Sequence, residues 1–184
     1  MSEIDETWSA LSIAVIVSEA LESAGLEAVL SGGGAVSIYS ENEYESYDLD
    51  FVTTERMSRL TVTMEELGYE RASGRHFEHP RSRYLVEFPA GPLSVGNEVL
   101  QGFGRVATSG GTVRVLTPVQ CVKDRLAAFY HWRDPQSLEQ ALMVASRHDI
   151  DLEDVEGWSN REGHAAGFEQ FKRRLEARRA PPAD

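Results

Sequence analysis

Two aspartates separated by a single residue, Asp48 and Asp50, lie in the otherwise apolar stretch DLDFV at residues 48–52. Such alternation is typical of a β-strand, on which side chains two positions apart project from the same face. Two neighbouring carboxylates repel each other unless a cation lies between them. Carboxylate oxygens are hard ligands that suit Mg²⁺ or Mn²⁺. The pattern therefore predicts a divalent-metal site on this strand.

Three consecutive glycines, Gly32, Gly33 and Gly34, lie between a short apolar segment and a short segment of helical character that includes Ala35. Glycine allows positive φ and close approach of the backbone to a ligand. The free N–H groups at a helix start, together with the helix dipole, attract phosphate. The sequence therefore predicts a phosphate-binding turn between a strand and a helix.

A third carboxylate, Glu87, stands in the apolar run YLVEF at residues 84–88. A charge in such a strand is expensive to bury without a partner. If this strand lies beside the strand of Asp50, Glu87 reaches the same metal ions. In the alternative interpretation, Glu87 faces solvent on an edge strand.

Together these segments resemble the nucleotidyltransferase superfamily with a palm like that of DNA polymerase β. Its signature is a hydrophobic residue and a Gly-Gly or Gly-Ser pair, followed by a hydrophobic-flanked Asp-x-Asp and a third acid on a later strand. The sequence Gly32-Gly33-Gly34-Ala35, with Ser46 two residues before the first aspartate, is most similar to the branch that contains AbiEii-type toxins and small bacterial nucleotidyltransferases.

The resemblance implies an α+β fold, in which a nucleotidyltransferase-like mixed β-sheet with helices packed on it precedes a C-terminal helical subdomain. It implies transfer of a nucleoside monophosphate from an NTP to a hydroxyl, with release of pyrophosphate. Asp48, Asp50 and Glu87 would be the catalytic residues and the ligands of Mg²⁺ or Mn²⁺. The expected acceptor is an RNA such as a tRNA end, a protein side chain or a small molecule. In the AbiEii branch the protein would be a toxin with an antitoxin partner.

The same resemblance implies that the glycine segment, the serine before the first aspartate and a lysine on the helix that starts at Thr117-Pro118 contact the nucleotide. These residues are Gly32, Gly33, Gly34, Ser46 and Lys123. For Lys123 the alternative is an exposed helix charge. His76 and His79, the histidines with the closest spacing, are expected to be surface residues rather than metal ligands.

Two other interpretations of the whole chain stay open. The protein could be a catalytically inactive nucleotide-binding or protein-interaction module of the same fold, as its acidic composition and the glutamate at the third acidic position allow. Alternatively, the pattern is accidental on an ordinary α/β scaffold, in which case Asp48, Asp50 and Glu87 would lie far apart.

Hydrophobic periodicity and turn residues predict two halves, residues 1–116 and residues 117–184. The first half should contain a helix at 4–24 that ends at Gly25, strands, and a helix at 55–67 capped by Thr54. The predicted strands are 27–31, 47–53, 69–72, 75–78, 83–88, 99–108 and 112–116, with a loop at 89–97. Only helices follow, at 118–131, 135–147, 151–160 and 164–178, and then a frayed tail at 180–184.

Composition excludes several functional classes. The net charge of −12 over 184 residues argues against broad electrostatic binding to nucleic acid, although not against a local basic groove. No apolar run approaches the roughly 20 residues that span a bilayer, and the acidic start Met1–Glu6 is unlike a signal peptide. We therefore expect a cytoplasmic protein without membrane contact. The single cysteine, Cys121, excludes an intrachain disulfide.

Overall fold

The structure is a computed structural model that describes residue 4 and residues 6–180. The strands are β1 Val29–Ser31, β2 Asp48–Val52, β3 Glu70–Ser73, β4 His76–Glu78, β5 Leu85–Glu87, β6 Ser94–Val95, β7 Glu98–Val99, β8 Gly104–Thr108 and β9 Gly111–Val115. The helices are α1 Ala10–Ser23, α2 Gly32–Tyr39, α3 Met57–Glu66, α4 Pro118–Trp132, α5 Pro135–Arg147, α6 Leu152–Arg161 and α7 Ala165–Arg179. Residues 1–3 and 5, which include part of the predicted first helix, and residues 181–184 of the predicted tail lie outside the described residues.

Seven strands form one mixed sheet in the order β3-β4-β5-β2-β1-β9-β8. The pairs β2–β5 and β1–β9 are parallel, and the other pairs are antiparallel. Strands β6 and β7 form a separate two-stranded ribbon. The predicted hairpin across Gly110-Gly111 is confirmed, since Thr108 pairs with Gly111 at its end. The α+β architecture predicted from the sequence is also confirmed.

The sheet has one apolar face under helices. Leu30, Leu49, Phe51 and Val86, from its three central strands, are completely buried. Helix α2 packs directly on this face, because a Cβ atom on Gly34 would lie 3.0 Å from Leu30 Cδ1. The alternate positions of the same strands project from the other face, which is therefore the face on which polar side chains can meet a ligand.

The four helices after Pro118 pack against the first half of the chain rather than standing apart. His148 Nε2 lies 2.9 Å from the Tyr39 carbonyl at the end of α2, and Arg147 on α5 forms a 2.5 Å ion pair with Glu43. The Trp158 ring is fully buried and stacks on Tyr130 at 5.8 Å. All regular elements among the described residues 118–180 are helices, as predicted, whereas a domain boundary at residue 117 stays a prediction. Among the helices of the described residues, none has the length and apolar character needed to cross a bilayer.

Several predicted boundaries were wrong for local reasons. Helix α1 starts at Ala10 because the Ser9 hydroxyl accepts a hydrogen bond from Ser12 N and caps the helix. Thr54 does not cap α3, whose N-cap is Arg56.

The predicted strand 99–108 was also wrong, because it is two strands with an irregular segment between them. The carbonyl of Gly102 in that segment accepts a hydrogen bond from the Gln120 side chain. The predicted loop 89–97 contains β6, which pairs with β7.

The start of α4 offers a test of the helix that faces the sheet. Thr117 and Gln120 form a reciprocal capping box, in which the Thr117 hydroxyl accepts from Gln120 N at 3.3 Å. Thr117→Ala should lower the free energy of unfolding by about 1 kcal/mol, because it leaves this helix start uncapped. Thr117→Ser keeps the hydroxyl and should stay close to wild type in urea unfolding. Equal losses in both variants would contradict the capping role.

Candidate active site

The glycine segment is the first turn of α2 rather than a turn that precedes it. Helix α2 begins at Gly32, directly after β1, and Gly32 has a φ of 57°. The N-cap residue, Ser31, makes no side-chain capping hydrogen bond, because its hydroxyl donates to the Asp50 carbonyl at 3.2 Å. The first N–H groups of α2 are thus without a side-chain cap, as an anion-binding helix start requires.

Two of the glycines leave room for polar groups of the site. A Cβ atom on Gly32 would lie 2.7 Å from Asp50 Oδ2, and one on Gly33 would lie 2.8 Å from Ser46 Oγ. Any larger residue would therefore push the aspartate or the serine away. These close approaches explain why this segment contains glycines and not only helix-forming residues.

The three predicted carboxylates come from two adjacent strands. Strands β2 and β5 are parallel, with Asp50 opposite Glu87 and Asp48 opposite Leu85. In-register neighbours project from the same face and lie about 4.8 Å apart. Asp48, two residues before Asp50, projects from that face as well. This arrangement differs from the one expected of an accidental pattern, in which the three acids would be far apart.

The environment of Asp50 disfavours its charged form. Burial raises the pKa of Asp50 to about 6, and the negative charges of Glu87 and Asp48 add to the shift. The nearby Arg125 guanidinium acts in the opposite direction. A bound cation would relieve the repulsion among these carboxylates, as the charges of neighbouring groups control ionisation at such sites.

The carboxylates do not yet surround a common point. In the part of the chain that the structure describes, no three Asp, Glu, His or Cys side chains are gathered closely enough to hold a metal ion. Glu87 Oε1 contacts His76 Nε2 at 3.4 Å, whereas Asp50 Oδ2 lies against Gly32. The donor chemistry nevertheless fits a hard divalent cation, because all three side chains offer carboxylate oxygens.

Arg125 on α4 is a residue of this site that the sequence interpretation missed. Its guanidinium donates to Asp124 Oδ2 at 2.6 Å and lies 3.8 Å from the position of a Cβ atom on Gly32. Arg125 follows the buried Cys121 by one helical turn. Residues four apart share a helix face, so this spacing was the signal that directs Arg125 inward.

Lys123 and Ser46 have other partners in the structure. The Lys123 ammonium is buried and forms a 2.8 Å ion pair with Asp154 on α6. Residues two apart do not share a helix face, so Lys123 is not brought to Asp50 with Arg125. The Ser46 hydroxyl donates to the Asp48 carbonyl at 2.9 Å, which fixes the chain before β2. Nucleotide contacts from Lys123 and Ser46 stay predictions.

His76 was assigned to the surface, and its side chain is indeed exposed, but it is also a neighbour of the candidate site. It stands opposite Glu87 in the antiparallel β4–β5 pair. Across three strands, His76, Glu87 and Asp50 thus form one row on the open face of the sheet. The spacing of the histidines could not reveal this, because the row depends on strand pairing.

Comparison with solved structures identifies the fold of the chain. An antigenic nucleotidyltransferase-like protein from Paracoccidioides brasiliensis superposes with a TM-score of 0.55 at 14% identity, over 78% of this chain and 77% of its own. The crystal structure of ANT(2'')-Ia with adenylyl-2''-tobramycin gives 0.54 at 17% identity, over 90% and 97%. The chain has the nucleotidyltransferase fold. The solution structure of ANT(2'')-Ia, described as an antibiotic-resistance factor, agrees with a TM-score of 0.53 at 18% identity, over 92% and 95%.

Comparison by sequence alone does not find these similarities. No family and no curated protein matches the chain by sequence. The similar structures show the fold that the resemblance implies, and the assignment to the AbiEii branch stays a prediction.

The contact between Gly32 and Asp50 can be tested by adding one methyl group. Gly25→Ala introduces a side chain at a φ of 65° with open space around it, and should cost about 1 kcal/mol of stability. Gly32→Ala has a similar φ but also meets Asp50 Oδ2, and should cost at least about 1 kcal/mol more. Urea unfolding of both variants measures the difference. Equal losses would show that the aspartate does not lie against the glycine.

The raised pKa of Asp50 predicts a pH-dependent effect of Asp50→Asn in protein free of divalent ions. Asp50 contributes stability that is fully present below the unfolded pKa near 3.8 and is lost as pH rises through about 6. Asp50→Asn should therefore be more stable than wild type at pH 8, by about 1–3 kcal/mol, and not at pH 4. Urea unfolding at both pH values checks this. An asparagine variant that is destabilised equally at both would contradict it.

Proposed function

We propose that the protein is a metal-dependent nucleotidyltransferase that moves a nucleoside monophosphate from an NTP to a hydroxyl group. The observation that carries the proposal is the in-register pairing of Asp50 with Glu87, with Asp48 on the same strand face. This acidic row lies beside the start of α2, which has no side-chain cap. Carboxylates for metal ions and N–H groups for phosphate are therefore adjacent, as transfer from a nucleoside triphosphate requires.

Each part of the site has a role in this proposal. Asp48, Asp50 and Glu87 would hold one or two Mg²⁺ or Mn²⁺ ions, which would supply charge stabilisation to the phosphates. The N–H groups of Gly33 and Gly34 bind phosphate oxygens at the positive end of α2.

During transfer, a Glu87 carboxylate oxygen accepts the proton of the attacking hydroxyl. The hydroxyl oxygen forms a bond to the α-phosphorus while the bond to the pyrophosphate oxygen breaks. Arg125 offsets negative charge beside Asp50 before and during this step. Its placement makes it the better candidate than Lys123 for charge compensation close to the phosphates.

The acceptor class follows from charge and from the similar structures. A net charge of −12 disfavours a nucleic-acid acceptor in the absence of a local basic groove. ANT(2'')-Ia was solved with an adenylylated small molecule, adenylyl-2''-tobramycin. We therefore favour a small hydroxyl compound over tRNA or a protein side chain. The AbiEii-like toxin role, with an antitoxin partner, rests on the glycine segment and Ser46, and it stays a prediction together with the cytoplasmic location.

Conservative replacement of the acids tests the proposal. Asp48→Asn, Asp50→Asn and Glu87→Gln should each reduce NTP-dependent pyrophosphate release by at least about 100-fold, because each removes one metal-holding charge with little change in volume. Glu70→Gln, an exposed acid on β3, is the matched control and should behave as wild type. The assay combines Mg²⁺, each of the four NTPs and a panel of acceptors, with mass spectrometry of tRNA, small molecules and the protein itself.

The same assay separates the enzyme from the inactive module of the same fold. A module would bind Mg²⁺ and NTP without releasing pyrophosphate or labelling any acceptor. Turnover that survives all three acid replacements would show that the reaction does not use this site. Loss of folding in Asp50→Asn would instead show a structural role for that carboxylate.

A further inference from the structure

A hollow lies on the same sheet face as the carboxylates, further along β1 and β2. It has a volume of about 300 Å³, and Val29 and Val52 form its floor. Val29 pairs with Val52, and Ser31 pairs with Asp50, in the antiparallel β1–β2 ladder. Side chains two positions apart share a face, so Val52 projects beside Asp50 about 7 Å further along the strand. We name this space, between the two valines and segment 93–103, the distal hollow.

The outer wall of the distal hollow contains three apolar side chains. Leu93, Leu100 and Phe103 line it, and Leu100 N donates to the Leu93 carbonyl at 3.0 Å to close the loop that bears β6 and β7. At the rim are the polar side chains of Glu27, Thr54 and Gln101. Among the described residues that line the hollow there is no lysine or arginine. The lack of a cationic side chain in this lining disfavours a phosphate, whereas its mixture of apolar side chains and polar groups suits an uncharged ring with polar groups on its edge.

The C-terminal helices hold this wall in place. Trp158 Nε1 donates to the Val95 carbonyl at 3.4 Å, and the Glu162 carboxylate, 3% exposed, accepts from Asn97 N and Nδ2 at 3.0 and 2.9 Å. Gln120 Nε2 on α4 donates to the Gly102 carbonyl at 2.9 Å. A short ribbon of two-residue strands has little stability by itself. These contacts fix the ribbon above the sheet and keep the hollow open.

We propose that the distal hollow receives the nucleobase of the NTP. This inference rests on the proposed function, because the triphosphate must occupy the start of α2. From there the nucleoside would extend along β2, so that the ribose lies near Asp50 and the base between the valines and the leucines. The volume is at the small end of ligand pockets, which fits one ring system better than a large acceptor. A larger hollow of about 590 Å³ is lined mainly by α1 and α3, and no described residue of β1, β2 or β5 lines it.

Filling the distal hollow tests the inference in the full-length protein with Mg²⁺. Gly102→Phe adds a ring at a lining position whose Cβ would meet nothing within 4 Å, and Val52→Phe enlarges the floor with a residue that suits a strand. Gly110→Phe is the matched control, since its Cβ would meet only Thr108 Oγ1 at 3.7 Å and it lies outside the hollow. Calorimetry measures binding of each of the four NTPs and of inorganic tripolyphosphate.

We expect Gly102→Phe and Val52→Phe to raise the Kd for the preferred NTP at least about tenfold, and to change the Kd for tripolyphosphate less than about twofold. The control should match wild type for both ligands. Unchanged NTP binding in a folded Gly102→Phe variant would overturn the inference. So would an increase confined to the KM of the acceptor, which would assign the hollow to the acceptor instead.

Wild-type protein that binds tripolyphosphate as tightly as every NTP would overturn the nucleobase site and leave the phosphate site intact. Wild-type protein that binds neither ligand in the presence of Mg²⁺ would overturn the proposed function and this inference together.

Discussion

Electrostatic repulsion among three carboxylates on one sheet face is the constraint on which the rest of the site depends. Parallel pairing of β2 with β5 brings Glu87 next to Asp50, and the strand period brings Asp48 to the same side. Negative charges at this spacing destabilise the folded chain unless a proton or a cation compensates them. Burial raises the pKa of Asp50 to about 6, and the charges of Glu87 and Asp48 add to the shift.

The elements around the site allow the chain to fold despite the repulsion among the three carboxylates. Leu49 and Phe51 are completely buried on the sheet face that the helices cover. Their packing holds β2 in place although its other face carries two aspartates. Helix α2 brings its positive end to the acids, and α4 brings the Arg125 guanidinium. The C-terminal helices thus have two roles, because they also carry the contacts that fix the β6–β7 ribbon over the open face.

Sequence alone could predict the features that depend on local periodicity. Local features predicted a strand at DLDFV, a junction between strand and helix at the glycines, and a helix start at Thr117-Pro118. Helix α5 has the predicted bounds. The acids were also expected to share a site, but their register required the strand pairing. Arg125, His76 and the distal hollow depend on which elements pack together. Lys123 was predicted from its position after the Thr-Pro helix start, and that position does not show which face of α4 meets the sheet.

The position of a bound ion is the most direct test of this account. Anomalous diffraction from crystals grown with Mn²⁺ and a non-hydrolysable NTP analogue would locate it. We expect at least one Mn²⁺ with oxygen atoms of Asp48, Asp50 and Glu87 within about 2–2.5 Å, after Glu87 has turned from His76. A well-ordered complex in which these three carboxylates share no ion, or in which the phosphates bind away from α2, would contradict it.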